Sequence, residues 1–117
     1  NSVGLGALVG FLLTVVLGIV YPGLGHFVGA IIGGVVAGLI ARGPLAGSLA
    51  GFVSGVLSSI VLVVFVFFGF IIKGAVHYGF LGAIAGGVAG FILAILAAVI
   101  ATVISTVGGF VGGAIAN

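Results

Sequence analysis

Charged side chains are almost absent from this sequence, which strongly limits what the chain can fold into. Arg42 and Lys73 are the only charged residues among 117, there is no Asp or Glu, and 64% of the residues are hydrophobic. An average soluble domain has about 25% charged residues, and a domain of this size buries only about two-thirds of its surface on folding. The outer surface must therefore contact lipid or other copies of the chain. We expect an integral membrane protein; the alternative is an insoluble, aggregating peptide.

Three breaks divide the apolar sequence into four predicted helices. The breaks contain Pro or Gly and lie at residues 21–26, 42–44 and 73–74, where these residues end or redirect a helix. The predicted helices cover residues 3–20, 26–41, 45–72 and a segment from 76 onward. Because the runs lack the alternation of a membrane β-strand, the sequence predicts an all-α bundle of about four transmembrane helices.

The last apolar segment is too long for one membrane crossing. It extends for about 40 residues after His77, or about 60 Å as a helix, against a hydrocarbon core of about 30 Å. We expect a break between Thr102 and Gly109. The predicted organisation is a single membrane domain with one hairpin at residues 3–42, a second at 45–101 and a glycine-rich C-terminal segment at 102–117.

Glycines recur at intervals of about four residues in all four predicted helices, and this spacing places them on one face of each helix. Small residues let membrane helices approach closely, which provides packing that the hydrophobic effect does not supply inside lipid. The sequence leaves open whether the partner helix belongs to the same chain or to another copy. The predicted helix-packing residues are Gly6, Gly10, Gly18, Gly29, Gly33, Gly34, Gly38, Gly47, Gly51, Gly55, Gly82, Gly86 and Gly90.

A short internal repeat indicates a duplicated helical hairpin. Residues 29–35 (GAIIGGV) recur as residues 82–88 (GAIAGGV), and the pair His26-Phe27 is similar to His77-Tyr78. A unit with two spans keeps its orientation when it is duplicated, so the two hairpins would be parallel. Chance similarity between two glycine-rich segments is the alternative.

Two resemblances follow from these motifs. The Pro-Gly-x-Gly turn and the Gly-Gly-x-x-Ala-Gly helix within residues 17–41, followed by the small-residue run at 47–55, resemble small glycine-rich archaeal membrane proteins of unknown function. This resemblance covers roughly residues 3–60 and implies no activity. The segment from Asn1 to Pro22 is more weakly similar to the processed, hydrophobic coat proteins of spindle-shaped archaeal viruses. The high glycine content and the second hairpin depart from that coat pattern.

The residues that most enzymes need are missing. Acid–base catalysis and carboxylate-bound metals use Asp or Glu, and the chain has neither. Ser54, Ser58 and Ser59 lie in the middle of a predicted helix with no neighbouring His in the sequence. We therefore expect no enzyme activity and no catalytic, cofactor or metal site, and the sequence identifies no small-molecule substrate. There is no basic patch for nucleic acid.

Six polar residues lie at the predicted helix ends and are expected at the membrane interface: Tyr21, His26, Arg42, Lys73, His77 and Tyr78. Aromatic and cationic side chains are enriched at that level of the bilayer. Two histidines could instead bind a metal or respond to pH, which we consider the weaker interpretation. Because spans alternate in direction, His26 and His77 should lie on one side of the membrane and Arg42 on the other.

The expected function is structural: a self-assembling membrane or coat protein that forms a densely packed homo-oligomer through its small-residue faces. Its partners would be lipid and copies of itself. The alternative is a pore-forming, holin-like or bacteriocin-like protein, followed by a carrier for an uncharged solute or an accessory subunit. The first residue is Asn1, so a leader has been removed or the numbering begins within a precursor. Cleavage of a leader would place the N-terminus outside the cytoplasm.

Overall fold

The computed structural model describes residues 2–21 and 24–116, and this part of the chain is helical almost throughout. It contains α1 (Ser2–Val20), α2 (Leu24–Ala41) and α3 (Pro44–Ile115). All three helices are long and apolar enough to cross a membrane by length and composition. The expectation of an all-α protein is confirmed, and its helices are apolar enough to span a membrane. The expected count of about four helices is not confirmed: the described residues form three, and α3 extends over 72 residues with a kink at Gly79.

Helix α3 folds back on itself at Gly79. A straight helix of that length would measure about 108 Å, but the molecule measures 54 × 21 × 21 Å. Gly79 has φ 72° and ψ −146°, a backbone conformation that essentially only glycine adopts. We call residues 44–78 the first arm and residues 80–115 the second arm; the two arms pack against each other in antiparallel orientation.

The reversal does not occur at the expected break, Lys73-Gly74. The first arm stays helical through both residues and reverses only at Gly79. A Cβ atom on Gly74 would overlap the carbonyl oxygen of Gly82 in the second arm. Gly74 therefore permits close contact between the arms, and the turn falls at the next glycine in the chain.

The expected break between Thr102 and Gly109 is wrong, because the second arm is helical through this segment. Ser105 and Thr106 use their hydroxyl groups as hydrogen-bond donors to the backbone carbonyls of Gly51 and Thr102. Gly108 and Gly109 are buried between neighbouring helices. Burial along the arm stabilises helix where the local sequence alone suggests a loop.

The break predicted at residues 42–44 is confirmed. Arg42 and Gly43 have φ angles of 60° and 96°, which end α2 with left-handed residues. Pro44 is the first residue of α3, where a missing N–H costs nothing. The backbone N–H of Gly43 donates to the carbonyl oxygen of Gly113 at 2.9 Å, so the connection is fixed to the end of the second arm.

Helices α1 and α2 cover only half of α3. Gly34 and Gly38 in α2 lie against Ser105 and Gly109 in the second arm, and His26 lies beside Leu62. With 19 and 18 residues, α1 and α2 are each about 28 Å long. The rest of α3, which we call the distal hairpin (residues 66–92), extends about 20 Å beyond them.

Candidate functional site

The interior is built from the smallest side chains. Every buried hydrophobic residue among those described is an alanine, and the other buried residues are glycines, serines, one threonine and one histidine. Large apolar side chains point outward along all the helices; Phe80, for example, is 79% exposed. This is the reverse of a soluble protein, in which large apolar residues are inside. The arrangement suits a protein whose outer surface contacts lipid.

The predicted packing glycines lie at contacts between helices of the same chain. At most of these glycines, an added Cβ atom would overlap or closely approach an atom of the neighbouring helix. The two helices are therefore packed at a distance that only a residue without a side chain allows. The contact between α1 and α2 contains Gly6, Gly10, Gly29 and Gly33. The contact between α2 and the second arm contains Gly34 and Gly38. The contact between the two arms contains Gly47, Gly51, Gly55, Gly82, Gly86 and Gly90. Gly18 differs, because it makes only ordinary van der Waals contact with His26.

Sequence reasoning missed four packing glycines near the C-terminus. A Cβ atom on Gly109 or Gly113 would overlap the backbone of the first arm or of Gly43, and one on Gly112 would overlap Val35 in α2. Gly108 lies against Ile31 and Val35. The same four-residue spacing could have identified them, since Gly108-Gly109 is followed by Gly112-Gly113. They were missed because this segment was assigned to a separate tail.

Hydroxyl groups in the interior donate hydrogen bonds across the helix contacts. Thr14 donates to the carbonyl oxygens of Gly10 at 2.8 Å and Gly29 at 3.1 Å. Ser105 donates to Gly51 at 2.7 Å, which joins the two arms. These bonds satisfy buried polar groups without water and stabilise the packing. Among the described residues, the buried hydroxyl of Ser54 has no hydrogen-bond partner.

His26 does not lie on the outer surface as expected. Its side chain is only 6% exposed, in the first turn of α2, and among the described residues its Nε2 atom has no hydrogen-bond partner. Together with Gly18, Ser58 and Leu62 it lines a cavity of about 310 Å³. A buried nitrogen without a partner is a cost to stability.

The other polar residues lie at separate levels along the long axis. Arg42 is exposed where α2 meets α3, and Tyr21 is exposed at the end of α1. Lys73, His77 and Tyr78 line an open groove near Gly79. His26 lies beside Leu62 and Val66, roughly 20 Å along the first arm from His77. Both histidines therefore lie far from Arg42 along the long axis of the molecule, but the two histidines lie at different positions along that axis.

The two hairpin turns pack in the same way. A Cβ atom on Gly25 would overlap the carbonyl oxygen of Leu17 and lie 2.7 Å from the Tyr21 Cβ atom. A Cβ atom on Gly82 would likewise overlap the carbonyl oxygen of Gly74 and lie close to the Cβ atom of Tyr78. In both turns the two contacts come from residues eight and four positions earlier in the chain. The shared sequence is Tyr-x-x-Leu-Gly-x-x-x-Gly, at residues 21–29 and 78–86. The structure pairs Gly25 with Gly82, whereas the sequence repeat pairs Gly29 with Gly82. The two alignments differ by four residues, which is one helical turn.

Comparison with known proteins identifies a family without an assigned activity. The model of the family of unknown function DUF5518 matches residues 1–115. No curated protein and no solved structure matches the chain. The resemblances to archaeal membrane proteins and to viral coat proteins therefore stay predictions.

Proposed function

We propose that this chain, which belongs to the family of unknown function DUF5518, is a structural membrane protein whose copies pack densely side by side. The setting would be a cell membrane or the lipid-containing coat of a virus, as the archaeal resemblances suggest. The observation that carries the proposal is the distal hairpin, an apolar pair of helices that α1 and α2 leave uncovered.

Apart from Lys73, His77 and Tyr78 near its tip, the surface of the distal hairpin is apolar and needs a non-aqueous neighbour. Among residues 66–92, only Gly82, Gly87 and Gly90 are buried. Large side chains such as Phe68 and Leu81 are 56% and 77% exposed. Exposed apolar patches of more than a few hundred Å² mark contact with protein or membrane. Lipid covers part of this surface in our proposal, and neighbouring copies cover the remainder.

Contacts between copies would use the bulky faces and not the small-residue faces. The glycine faces are already filled by helices of the same chain, so they are not free for another copy. The bulky residues leave a groove of about 620 Å³ between the arms, lined by Phe52, Val56, Ile60 and Val99 among others. Side chains such as Phe65, which is 66% exposed, would fill such grooves in a neighbour. Packing of this kind, by ridges into grooves, is general for helices.

The similar packing at the two hairpin turns supports a duplicated hairpin as the origin of this architecture. Tyr21 and Tyr78 would then be equivalent positions, as would Gly25 and Gly82. In this proposal α3 represents two spans joined by the shortest possible turn. The molecule would be an up-down-up-down bundle with one long and one short hairpin.

A pore has less support. A water-filled path needs a continuous polar lining, but the buried hydroxyls of Thr14, Ser58 and Ser105 donate to backbone carbonyls. A pore formed between copies would have to be lined by the outer faces, which are apolar.

Cysteine crosslinking in native membranes tests the proposal, since the chain contains no Cys. Single cysteines at Phe68 and Leu81, both exposed on the distal hairpin, should form disulfides between copies on mild oxidation. A cysteine at Ala50, which is 0% exposed, is the matched control and should not. In parallel, energy transfer between labelled copies should persist when the lipid-to-protein ratio rises. Absence of crosslinks at both exposed positions, together with loss of transfer on dilution, would refute self-assembly.

A further inference from the structure

The two cations of this chain are separated by about the thickness of a bilayer. Lys73 lies 29 residues after Pro44, the first residue of the first arm, or about 44 Å along the helix. A bilayer with its headgroup regions is about 40–45 Å thick. Arg42 lies two residues before Pro44, and no charged residue lies between the two cations. With the first arm across the membrane, each cation reaches one headgroup layer.

Lys73 lies in a groove that presents hydrogen-bond donors and no acidic side chain. The groove has a volume of about 530 Å³ and is also lined by His77 and Tyr78. Lys73 and His77 are four residues apart and share a helix face. Gly74 and Gly82, where the backbones of the two arms are in close contact, also line the groove. An ammonium group, an imidazole N–H and a phenol O–H can all donate to one acceptor group.

The positive charge in this groove has no counter-ion within the chain. The sequence contains no Asp or Glu, so the negative charge must come from another molecule. Phosphate oxygens accept hydrogen bonds from Lys well, as in phosphate-binding loops. On the bilayer side of Lys73, Phe68, Ile72 and Val88 are 56–63% exposed. Such apolar surface suits acyl chains and gains nothing from a free phosphate ion.

We propose that the groove formed by Lys73, His77 and Tyr78 binds a phosphate group, and that its source is the headgroup of an anionic lipid in the adjacent leaflet. The phosphate oxygens accept hydrogen bonds from the three side chains, while the acyl chains lie along the exposed apolar side chains of the distal hairpin. This site does not depend on contact between copies, so it goes beyond the structural role proposed above.

Arg42 provides a matched control, because it has the same charge without the other donors. The chain has two His and two Tyr residues; Tyr21 and His26 lie at the far ends of α1 and α2 from Arg42, and His77 and Tyr78 lie at the tip. Removing either cation lowers the net charge by one. Only removal of Lys73 should disrupt a donor cluster.

The test measures retention of lipid by the purified protein in nanodiscs that contain phosphatidylglycerol or only phosphatidylcholine. Spin-labelled phosphatidylglycerol should be preferred over spin-labelled phosphatidylcholine by the native protein. Lys73→Gln should lower this preference by more than the roughly 5-fold that one cation contributes at any anionic surface, because Lys73 also holds the headgroup in the groove. Adding His77→Gln should lower the preference further. Arg42→Gln should have a smaller effect. Circular dichroism of each variant establishes that the helices are retained; these exposed residues should not be needed for folding.

Three results would overturn the proposal. Equal loss of preference in Lys73→Gln and Arg42→Gln would show a general attraction to charge without a site. Unchanged preference in the folded Lys73→Gln/His77→Gln protein would show that the groove does not bind the headgroup. Inorganic phosphate that binds lipid-free protein in detergent and displaces labelled phosphatidylglycerol would show that the site accepts the free ion and that the lipid is not its specific source.

Discussion

Replacing Gly51 by Ala tests the central feature of the fold, the close contact between the two arms of α3. A Cβ atom at this position would overlap the carbonyl oxygen of Ser105 and lie 3.1 Å from the Cα atom of Gly109. Both are backbone atoms, which cannot rotate away as a flexible side chain can. The arms must therefore separate to accommodate one methyl group.

The magnitude follows from three opposing effects. Overpacking a tight interior costs about 1–3 kcal/mol. Separation of the arms also weakens the 2.7 Å hydrogen bond from Ser105 to the Gly51 carbonyl, which contributes about 1 kcal/mol. The higher helix propensity of Ala returns about 0.5–1 kcal/mol. We expect Gly51→Ala to lower the free energy of unfolding by about 1–3 kcal/mol, the balance of these effects.

Gly69 on the same arm is the matched control. Nothing lies within 4 Å of a Cβ atom built there, so Gly69→Ala should show only the propensity gain and stabilise the protein by about 0.5–1 kcal/mol. Both variants can be compared with the native protein by titration with sodium dodecyl sulfate in mild detergent, followed by far-UV circular dichroism. The two substitutions should shift the midpoint in opposite directions. A Gly51→Ala protein that resists the denaturing detergent as well as the native protein would refute the close approach of the arms.

Three further predictions concern particular positions. The hydroxyl oxygens of Ser59 and Thr102 are 3.1 Å apart, so cysteines at these two positions should form a disulfide within one chain even at high dilution. In a straight α3 the two positions would be about 65 Å apart, and no such bond could form. His26→Leu should raise the free energy of unfolding by about 1–3 kcal/mol because it removes a buried nitrogen without a partner, and a loss of stability in the same titration would indicate that the imidazole has a partner. Gly79→Ala should destabilise the protein by about 1–3 kcal/mol, since its φ of 72° and ψ of −146° strain any other residue; an unchanged midpoint would contradict the tight reversal.

Much of the fold could be predicted because it depends on local chemistry. The near-absence of charge predicts a membrane protein from composition alone, and the described helices are long and apolar enough to span a membrane. The first predicted break, at residues 21–26, contains Pro22 and Gly23, which lie outside the described residues; α1 ends at Val20 just before it. The change of direction at Arg42-Gly43-Pro44 is equally local, since left-handed residues end one helix and Pro begins the next.

The role of each glycine could not be predicted in the same way. Gly74 and Gly79 both follow a polar residue, and either could have been the turn. A glycine serves as a turn because of its backbone freedom and as a packing position because it lacks a Cβ atom, so the residue type is the same for both. Only the contact with Gly82 assigns Gly74 to packing and leaves the reversal to Gly79.

The C-terminal segment and His26 show the same dependence on tertiary contacts. A glycine-rich sequence is a poor helix former in isolation, yet residues 102–115 are helical because Gly109 and Gly113 lie against the first arm and its connection to α2. His26 at the start of a helix was expected to face the membrane interface, but α1 and the longer first arm enclose it. The sequence alone determined that the chain consists of apolar helices with small-residue faces. Which faces meet, and therefore which glycine turns and which polar group is buried, was decided by contacts between residues far apart in the chain, because local propensity does not encode them.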